Sequence, residues 1–409
     1  MNMKGVVLGV AGALAVTGAQ AADLPAAPEP VDYVRVCDAF GTGFLYVPGT
    51  ETCFQIRGRV RADYRTAFFG GPGISGMSYD RESNPAYNFY ARGYVYSDSR
   101  TNTEFGLLRT YTQLEFTTQT IRGTGTSTSL DQAYIQFGGL TAGKYYSFFN
   151  FQTGTVYGAT FEAAWSDYNT VGAAYTFAFG NGFSASLSIE DSSFSRAGGG
   201  TQTIIGGTNS GAKMPDIVAN LRVDQGWGSA QIMGALHEVR NMAVGGGTRD
   251  KNEMGFGVGG GVTVNLPMLA EGDTISLQTA FTKGYLAGAT PNAWATGGAG
   301  PRDARYNVVR NKLELAEAWS IAANMQHFWT PQISSSIAAS YLSVWNLGKR
   351  FDYDNWDVQG TIQYTPVAGL AIGAELEYKL SDPSSSKNNR GNSETKDSLV
   401  GMLRVQRDF

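Results

Sequence analysis

Charge is scarce in this chain: Asp, Glu, Lys and Arg make up 16% of its 409 residues, against about 25% in ordinary soluble domains. The formal net charge is only −4, so there is no electrostatic footprint for nucleic acid, and none is expected as a partner. Histidine and cysteine number two each. His237 and His327 fall in different segments, far from Cys37 and Cys53, so no metal-ligand spacing exists and neither a metal nor another cofactor is expected. A G-x-S-x-G elbow is also missing. Enzyme chemistry would need a site assembled from loops, with those two histidines as its only imidazoles. Long apolar runs are missing too. Val6 to Val16 is too short to cross a bilayer as a helix, and no later stretch supplies about 20 consecutive apolar residues, so any membrane insertion must use strands.

What the chain does have is glycine, 53 residues, and aromatics, 12%. Tight turns, lipid-facing strands and interfacial girdles need both. A soluble chain of this length would divide into two or three domains, with one large barrel as the exception. Lys4, the apolar run after it and Ala19-Gln20-Ala21 fit a cleavable secretory signal over 1–21, with the mature chain starting near Ala22. A segment 22–52 would follow, opening on the Pro/Ala linker Leu24 to Pro30, and a barrel over 53–409 would complete the chain. An even cysteine count in an exported chain favours a disulfide between Cys37 and Cys53, with two buried free thiols as the alternative. In the chain-entropy model, closing such a loop contributes about 3 kcal/mol.

The stretch Cys53 to Arg65 carries the strongest pattern. Phe54, Ile56, Gly58, Val60, Ala62 and Tyr64 alternate with Gln55, Arg57, Arg59, Arg61, Asp63 and Arg65. A period of two means a strand, and a face with four arginines needs water. The wall of an aqueous channel provides it, as would the solvated face of an ordinary sheet. Similar segments recur at 53–68, 86–97, 107–120, 129–138, 140–149, 170–180, 183–191, 215–225, 229–240, 253–266, 273–286, 316–329, 332–344, 355–366, 369–380 and 398–409. The fifth and twelfth are placed by spacing alone. Long links follow odd-numbered strands and short ones, such as Gly138-Gly139 and Gly180-Asn181-Gly182, follow even-numbered strands. An antiparallel up-and-down β-barrel of about 16 strands has that parity, whereas a β-sandwich has no reason for it.

Val36-Cys37-Asp38-Ala39-Phe40-Gly41, followed by Pro48-Gly49-Thr50-Glu51-Thr52-Cys53, resembles the opening block of the alphaproteobacterial general porins of the rhizobial and brucella type. The resemblance is close from Tyr33 to about Tyr64 and extends over the remainder by pattern. The C-terminal strand, ending on Phe409, resembles the signal read by the outer-membrane assembly machinery; Arg407 on its lipid-facing parity is a mild departure. The resemblance implies a homotrimer in the bacterial outer membrane, in contact with lipid and lipopolysaccharide, passing small hydrophilic solutes and ions by passive diffusion. It also implies a third loop folded into the barrel. A substrate-specific outer-membrane channel is the alternative, with a barrel enzyme or receptor further off.

Gly255-Phe256-Gly257-Val258-Gly259-Gly260 formally matches a dinucleotide fingerprint. A strand-like run, not a helix, follows it, so it reads as a glycine-rich strand. The constellation with functional content is electrostatic. Arg57, Arg59, Arg61, Arg65, Arg92 and Arg109 share the channel-facing parity of the first three strands, and the third long link, 150–169, carries two acids, Glu162 and Asp167. These eight residues are the candidate pore constriction, with a field running from arginines on the wall to carboxylates on the loop. Alternatively, the arginines solvate a lumen and pair with local acids such as Asp63 and Glu115.

Overall fold

The computed structural model describes residues 35–70, 85–120, 125–151, 154–158, 163–195, 204–205, 208–209, 211–242, 251–291, 302–348, 352–383 and 396–409. The expected secretory signal, the Pro/Ala linker and Glu162 lie outside them. Sixteen long strands form the wall: β1 (Cys53–Gly70), β2 (Tyr87–Thr103), β3 (Gly106–Gln119), β4 (Thr126–Phe137), β5 (Leu140–Tyr146), β6 (Asn169–Gly180), β7 (Phe183–Glu190), β8 (Asp216–Gln225), β9 (Gly228–Met242), β10 (Lys251–Asn265), β11 (Thr274–Lys283), β12 (Glu317–Thr330), β13 (Ile333–Trp345), β14 (Tyr353–Val367), β15 (Leu370–Pro383) and β16 (Lys396–Asp408). Each pairs antiparallel with its chain neighbours, and β1 pairs with β16 from Arg59↔Asp408 to Gly70↔Ser398, which closes the sheet. The first and last strands of the wall are thus each paired on both sides, as a sheet in lipid requires.

Alternation sorts the side chains in the sense opposite to a soluble protein. On β1, Ile56 and Val60 point outward and are 66% and 53% exposed, while Asp63 points inward at 2%. The same split runs through β13 and β14, where Ile337, Val358 and Ile362 face out and Ser336, Asp357 and Gln359 face in. An outward apolar band and a polar interior suit a strand wall between lipid and water.

The expected strands all appear, with instructive differences at their ends. β5 stops at Tyr146 because buried Glu190 draws the chain off the wall: Ser147 Oγ donates to its Oε2 at 2.8 Å and the Phe148 N–H to its Oε1 at 3.2 Å. β11 stops at Lys283, where the chain turns inward into a short 3₁₀ turn, Leu286–Gly288. The alternation of long and short links fails at one pair, since 266–273 is as long as 243–250.

Residues 35–52 and the C-terminal residue both lie at the short-turn end of the barrel. Phe409 exchanges backbone hydrogen bonds with Gly58 at 2.7 and 2.9 Å, and its ring lies against that glycine. Residues 35–52 fold back beneath β1 and β2, where Cys37 and Cys53 form a disulfide buried with Phe44. Gln55 Nε2 donates to the Thr42 carbonyl at 2.9 Å, and the Arg100 guanidinium lies 4.8 Å over the Phe44 ring.

Much of the buried apolar surface belongs to links folded into the lumen. Phe149, Phe151 and Tyr168 of link 147–168 pack on Tyr285 and Ala287 of link 284–316. A small sheet of 204–205, Ala304–Asn307 and Lys312–Leu315 covers Val239 on the inner face of β9. The glycine run of β10 makes room for these aromatics. A Cβ at Gly257 would stand 2.7 Å from the Tyr285 ring, and one at Gly261 would collide with Phe151. The run is therefore a strand, cleared on its inner face for loop side chains.

An arginine on the outward parity at mid-wall would put a charge into lipid. Ile337→Arg is expected to destabilise the barrel by about 2–4 kcal/mol, measured as a shift in reversible urea unfolding from phospholipid vesicles; an unchanged midpoint would refute the outward assignment.

Candidate functional site

The six arginines expected on one face come together on one stretch of wall, β1 to β3, and the register explains how. Arg57, Arg59, Arg61 and Arg65 stand opposite Tyr96, Tyr94, Arg92 and Asn88 of β2, so the strand pairing interleaves cations with tyrosines. Arg61 lies 4.9 Å and Arg65 4.3 Å over the Tyr90 ring, and Arg59 5.6 Å over Tyr94. Tyr111 of β3 and Tyr134 of β4 flank Arg109 at 5.2 and 5.7 Å. Arginine faces stack favourably on aromatic rings, which lets like charges share a wall.

Carboxylates offset most of these charges. Asp63, with its side chain fully buried, accepts from Arg404 at 2.7 and 2.9 Å and from Arg65 at 2.8 Å, with Arg61 at 3.6 Å. Arg92 pairs with Glu115 at 2.7 Å and Arg59 with Asp408 at 2.5 Å. Asp98 holds both Arg109 and Arg100, at 2.9 and 2.8 Å. Removing one partner of such a buried network leaves an uncompensated charge. Arg404 and Asp408 were not among the expected site residues, yet both stand on the lumen parity of the last strand, where alternation alone could have found them.

The third long link is the second component of the site. Its central residue Tyr157 is anchored at three points: its N–H donates to Glu375 at 2.6 Å, its hydroxyl to Gln363 at 2.9 Å, and its ring lies 4.3 Å beneath the Arg404 guanidinium. Burial pushes the Tyr157 hydroxyl up to about 12, so it stays protonated and keeps donating at neutral pH. Gly373 supplies the socket, since a Cβ there would collide with the Tyr157 hydroxyl. Thr155 bonds Asn324 at 2.7 Å and the Ala164 N–H bonds Ser340 at 2.9 Å. Asp167 stands at the root of the link, where the Tyr146 hydroxyl donates to it, and it makes no ion pair with the arginine row. Burial raises its carboxyl above the ordinary range, against the Tyr146 hydrogen bond.

Between them the infolded links cover the lumen faces of several strands from β8 onward. Asn220 donates to the Phe148 carbonyl at 2.7 Å, Gln231 to the Asn150 carbonyl at 3.1 Å, and Gln278 and Ser166 share a 2.8 Å bond. On the other side Arg57 is exposed and Arg59, Arg92 and Arg109 are partly so. The open side of the lumen is thus the arginine side.

One cluster has the composition of a hydrolase site without its geometry. Ser195 donates to Asp216, and His237 Nδ1 bonds the same carboxylate at 2.7 Å. Ser195 Oγ stands 3.4 Å from that same Nδ1, so the serine and the aspartate occupy one side of the imidazole. A relay needs them at opposite ring nitrogens, and all three residues are buried. Among the described residues no group of three or more His, Cys, Asp or Glu is placed to hold a metal.

A closed antiparallel wall with an apolar exterior, a polar interior and an infolded third link defines a membrane-spanning β-barrel of the outer membrane. The chain belongs to the porin subfamily, whose profile matches residues 22–402. It is 39% identical over 245 residues to porin Omp2b of Brucella canis, covering 56% of this chain; the chain spans 64% of the length of that relative. Against porin Omp2b of Brucella suis it is 30% identical over 434 residues, covering all of both. Among solved structures, the outer membrane channel DcaP of Acinetobacter baumannii matches with a TM-score of 0.69 at 15% identity, covering 89% of this chain and 99% of that one. An anion-selective porin from Comamonas acidovorans matches with a TM-score of 0.53 at 11% identity, covering 88% and 100%. At such identities these two show the fold.

The Tyr157 socket is open to test. Gly373→Ala should displace Tyr157 and expose link 147–168 to chymotrypsin, and adding Tyr157→Phe should restore part of the resistance; full resistance in Gly373→Ala alone would sink the socket.

Proposed function

We propose that this chain forms a water-filled channel through the outer membrane for passive diffusion of small hydrophilic solutes and ions, with no bond chemistry. The observation that carries the reading is the one-sided lumen: loop-covered polar residues on one side, and on the other the row Arg57, Arg59, Arg61, Arg65, Arg92 and Arg109, of which Arg57 is exposed, Arg59, Arg61, Arg92 and Arg109 are partly exposed and Arg65 is buried. Charges of one sign beside a narrowed aqueous path select among permeating ions. Tyr94, Tyr96 and Arg404 belong to the same wall, and Tyr157 of the third link packs against it at Arg404. Glu162 is proposed as the carboxylate that the third link contributes at the narrowing. Asp167 is assigned instead to anchoring the root of that link, on its hydrogen bond from Tyr146.

The wider assembly belongs to the same proposal. Residues 1–21 would be removed on export, Phe409 would be read by the outer-membrane assembly machinery, and three copies would associate within lipid and lipopolysaccharide. Cross-linking of the detergent-solubilised protein should stop at a three-chain species.

Single-channel recording across a salt gradient tests the channel. Persistent current steps are expected. Arg61→Gln with Arg92→Gln should move the reversal potential toward cations, Glu162→Gln should move it toward anions, and Asp167→Asn should leave it in place. Both shifts should fade as salt rises, because the Debye length falls from about 10 Å at 0.1 M to about 3 Å at 1 M. Absence of current steps would overturn the channel, and an unmoved reversal potential in the arginine variant at low salt would remove the wall from selectivity.

A further inference from the structure

Arg57 differs from every other arginine of the row. Arg59 has Asp408, Arg61 and Arg65 share Asp63 with Arg404, Arg92 has Glu115, and Arg109 has Asp98. No carboxylate of the described residues forms an ion pair with Arg57, which is exposed near the short-turn end of the barrel, next to the Gly58–Phe409 closure.

Its surroundings are aromatic. The Arg57 guanidinium lies 5.7 Å from the centroid of the Tyr96 ring, its direct partner across the strand pair. Tyr96 stacks on Tyr94 with centroids 6.0 Å apart and planes 10° from parallel. On the next two strands Tyr111 and Tyr134 stack at 5.3 Å and 30°. Tyr96 and Tyr134 are partly exposed, whereas Tyr94 and Tyr111 are buried behind them, so the accessible ring surface beside the uncompensated guanidinium is that of Tyr96.

We infer that Arg57 and Tyr96, backed by Tyr94 and bordered by Tyr111 and Tyr134, form a subsite for solutes that carry a carboxylate on a flat ring. Guanidinium presents two parallel N–H donors that match a carboxylate's two oxygens, and among the described residues no acid competes for it. Ring faces of tyrosine accept a second flat ring by offset stacking, worth about 0.5–1.5 kcal/mol beyond the area it buries. A saturated ring of equal charge can use the guanidinium but not the stack. The subsite therefore discriminates by planarity as well as by charge. Binding itself is independent of conduction; only its consequence, a solute held in the path, rests on the channel reading.

The test is titration calorimetry of the full chain in detergent with sodium benzoate, sodium cyclohexanecarboxylate and sodium phosphate. One benzoate site per chain is expected, with affinity about 2–10-fold above cyclohexanecarboxylate. Arg57→Gln should weaken benzoate about tenfold, the worth of a charge-assisted pair near 1.4 kcal/mol, and Arg57→Lys should fall between. Tyr96→Leu should bring the two carboxylates to equal affinity, with unheated gel migration confirming that the barrel is intact. Equal affinity of the native chain for benzoate and cyclohexanecarboxylate would overturn the proposal, as would phosphate binding as tightly as benzoate or an Arg57→Gln variant that binds benzoate unchanged. Current steps without benzoate preference would sink the subsite and keep the channel; benzoate preference without current steps would do the reverse.

Discussion

Lipid offers no hydrogen-bond partner to a peptide group, and each one left unpaired there costs several kcal/mol. A sheet crosses a bilayer only if it has no edge, so the pairing of β1 with β16 is the contact on which the molecule depends. The backbone bonds between Gly58 and Phe409 set the register at the end of that seam. Once the wall is closed, strand alternation has one workable sense, apolar out and polar in, and the interior becomes a polar space wide enough to admit chain. The usual hydrophobic core has no place in the wall and reappears inside, where Phe149, Phe151, Tyr168 and Tyr285 of the infolded links pack in one cluster and Leu286 and Ala164 in another.

That internal core makes the lumen asymmetric. A link that enters the barrel must satisfy its own backbone, and this one does so on lumen side chains: Asn220, Gln231, Glu375 and Ser340 each take or give a bond to it. Those polar residues are thereby withdrawn from solvent. The arginine side keeps its water because its charges are already organised among themselves. Asp63, Asp98 and Glu115 hold guanidiniums in fixed positions, and tyrosine rings lie against Arg57 and Arg61. Rigid charges beside an open path and a rigid loop opposite are thus two consequences of one packing arrangement.

Part of this was legible in the residues. Sixteen strands could be counted because the period of two survives in most segments, and β5 and β12, whose faces are poorly split, fell into place from the rhythm of their neighbours. The arginine row was legible for the same reason: parity assigns a face without any knowledge of contacts. The position of Asp167 within its link was not, since its distance in sequence from Glu162 says nothing about which way a link turns; it stands at the root, where the Tyr146 hydroxyl donates to it. Arg404 was overlooked although it stands on a readable strand, because its importance lies in a pair with Asp63 that is 341 positions away in the chain.

Local pattern therefore determined the strand count, the face of each residue and the identity of the wall as a membrane barrel, because alternation and turn chemistry act between near neighbours. Tertiary structure decided what the interior does: which link crosses the lumen, that Tyr157 enters the Gly373 socket under Arg404, and that Arg57 alone of its row has no acid partner among the described residues. Those outcomes depend on contacts between strands far apart in sequence, and they exist only after closure brings β14, β15 and β16 beside β1.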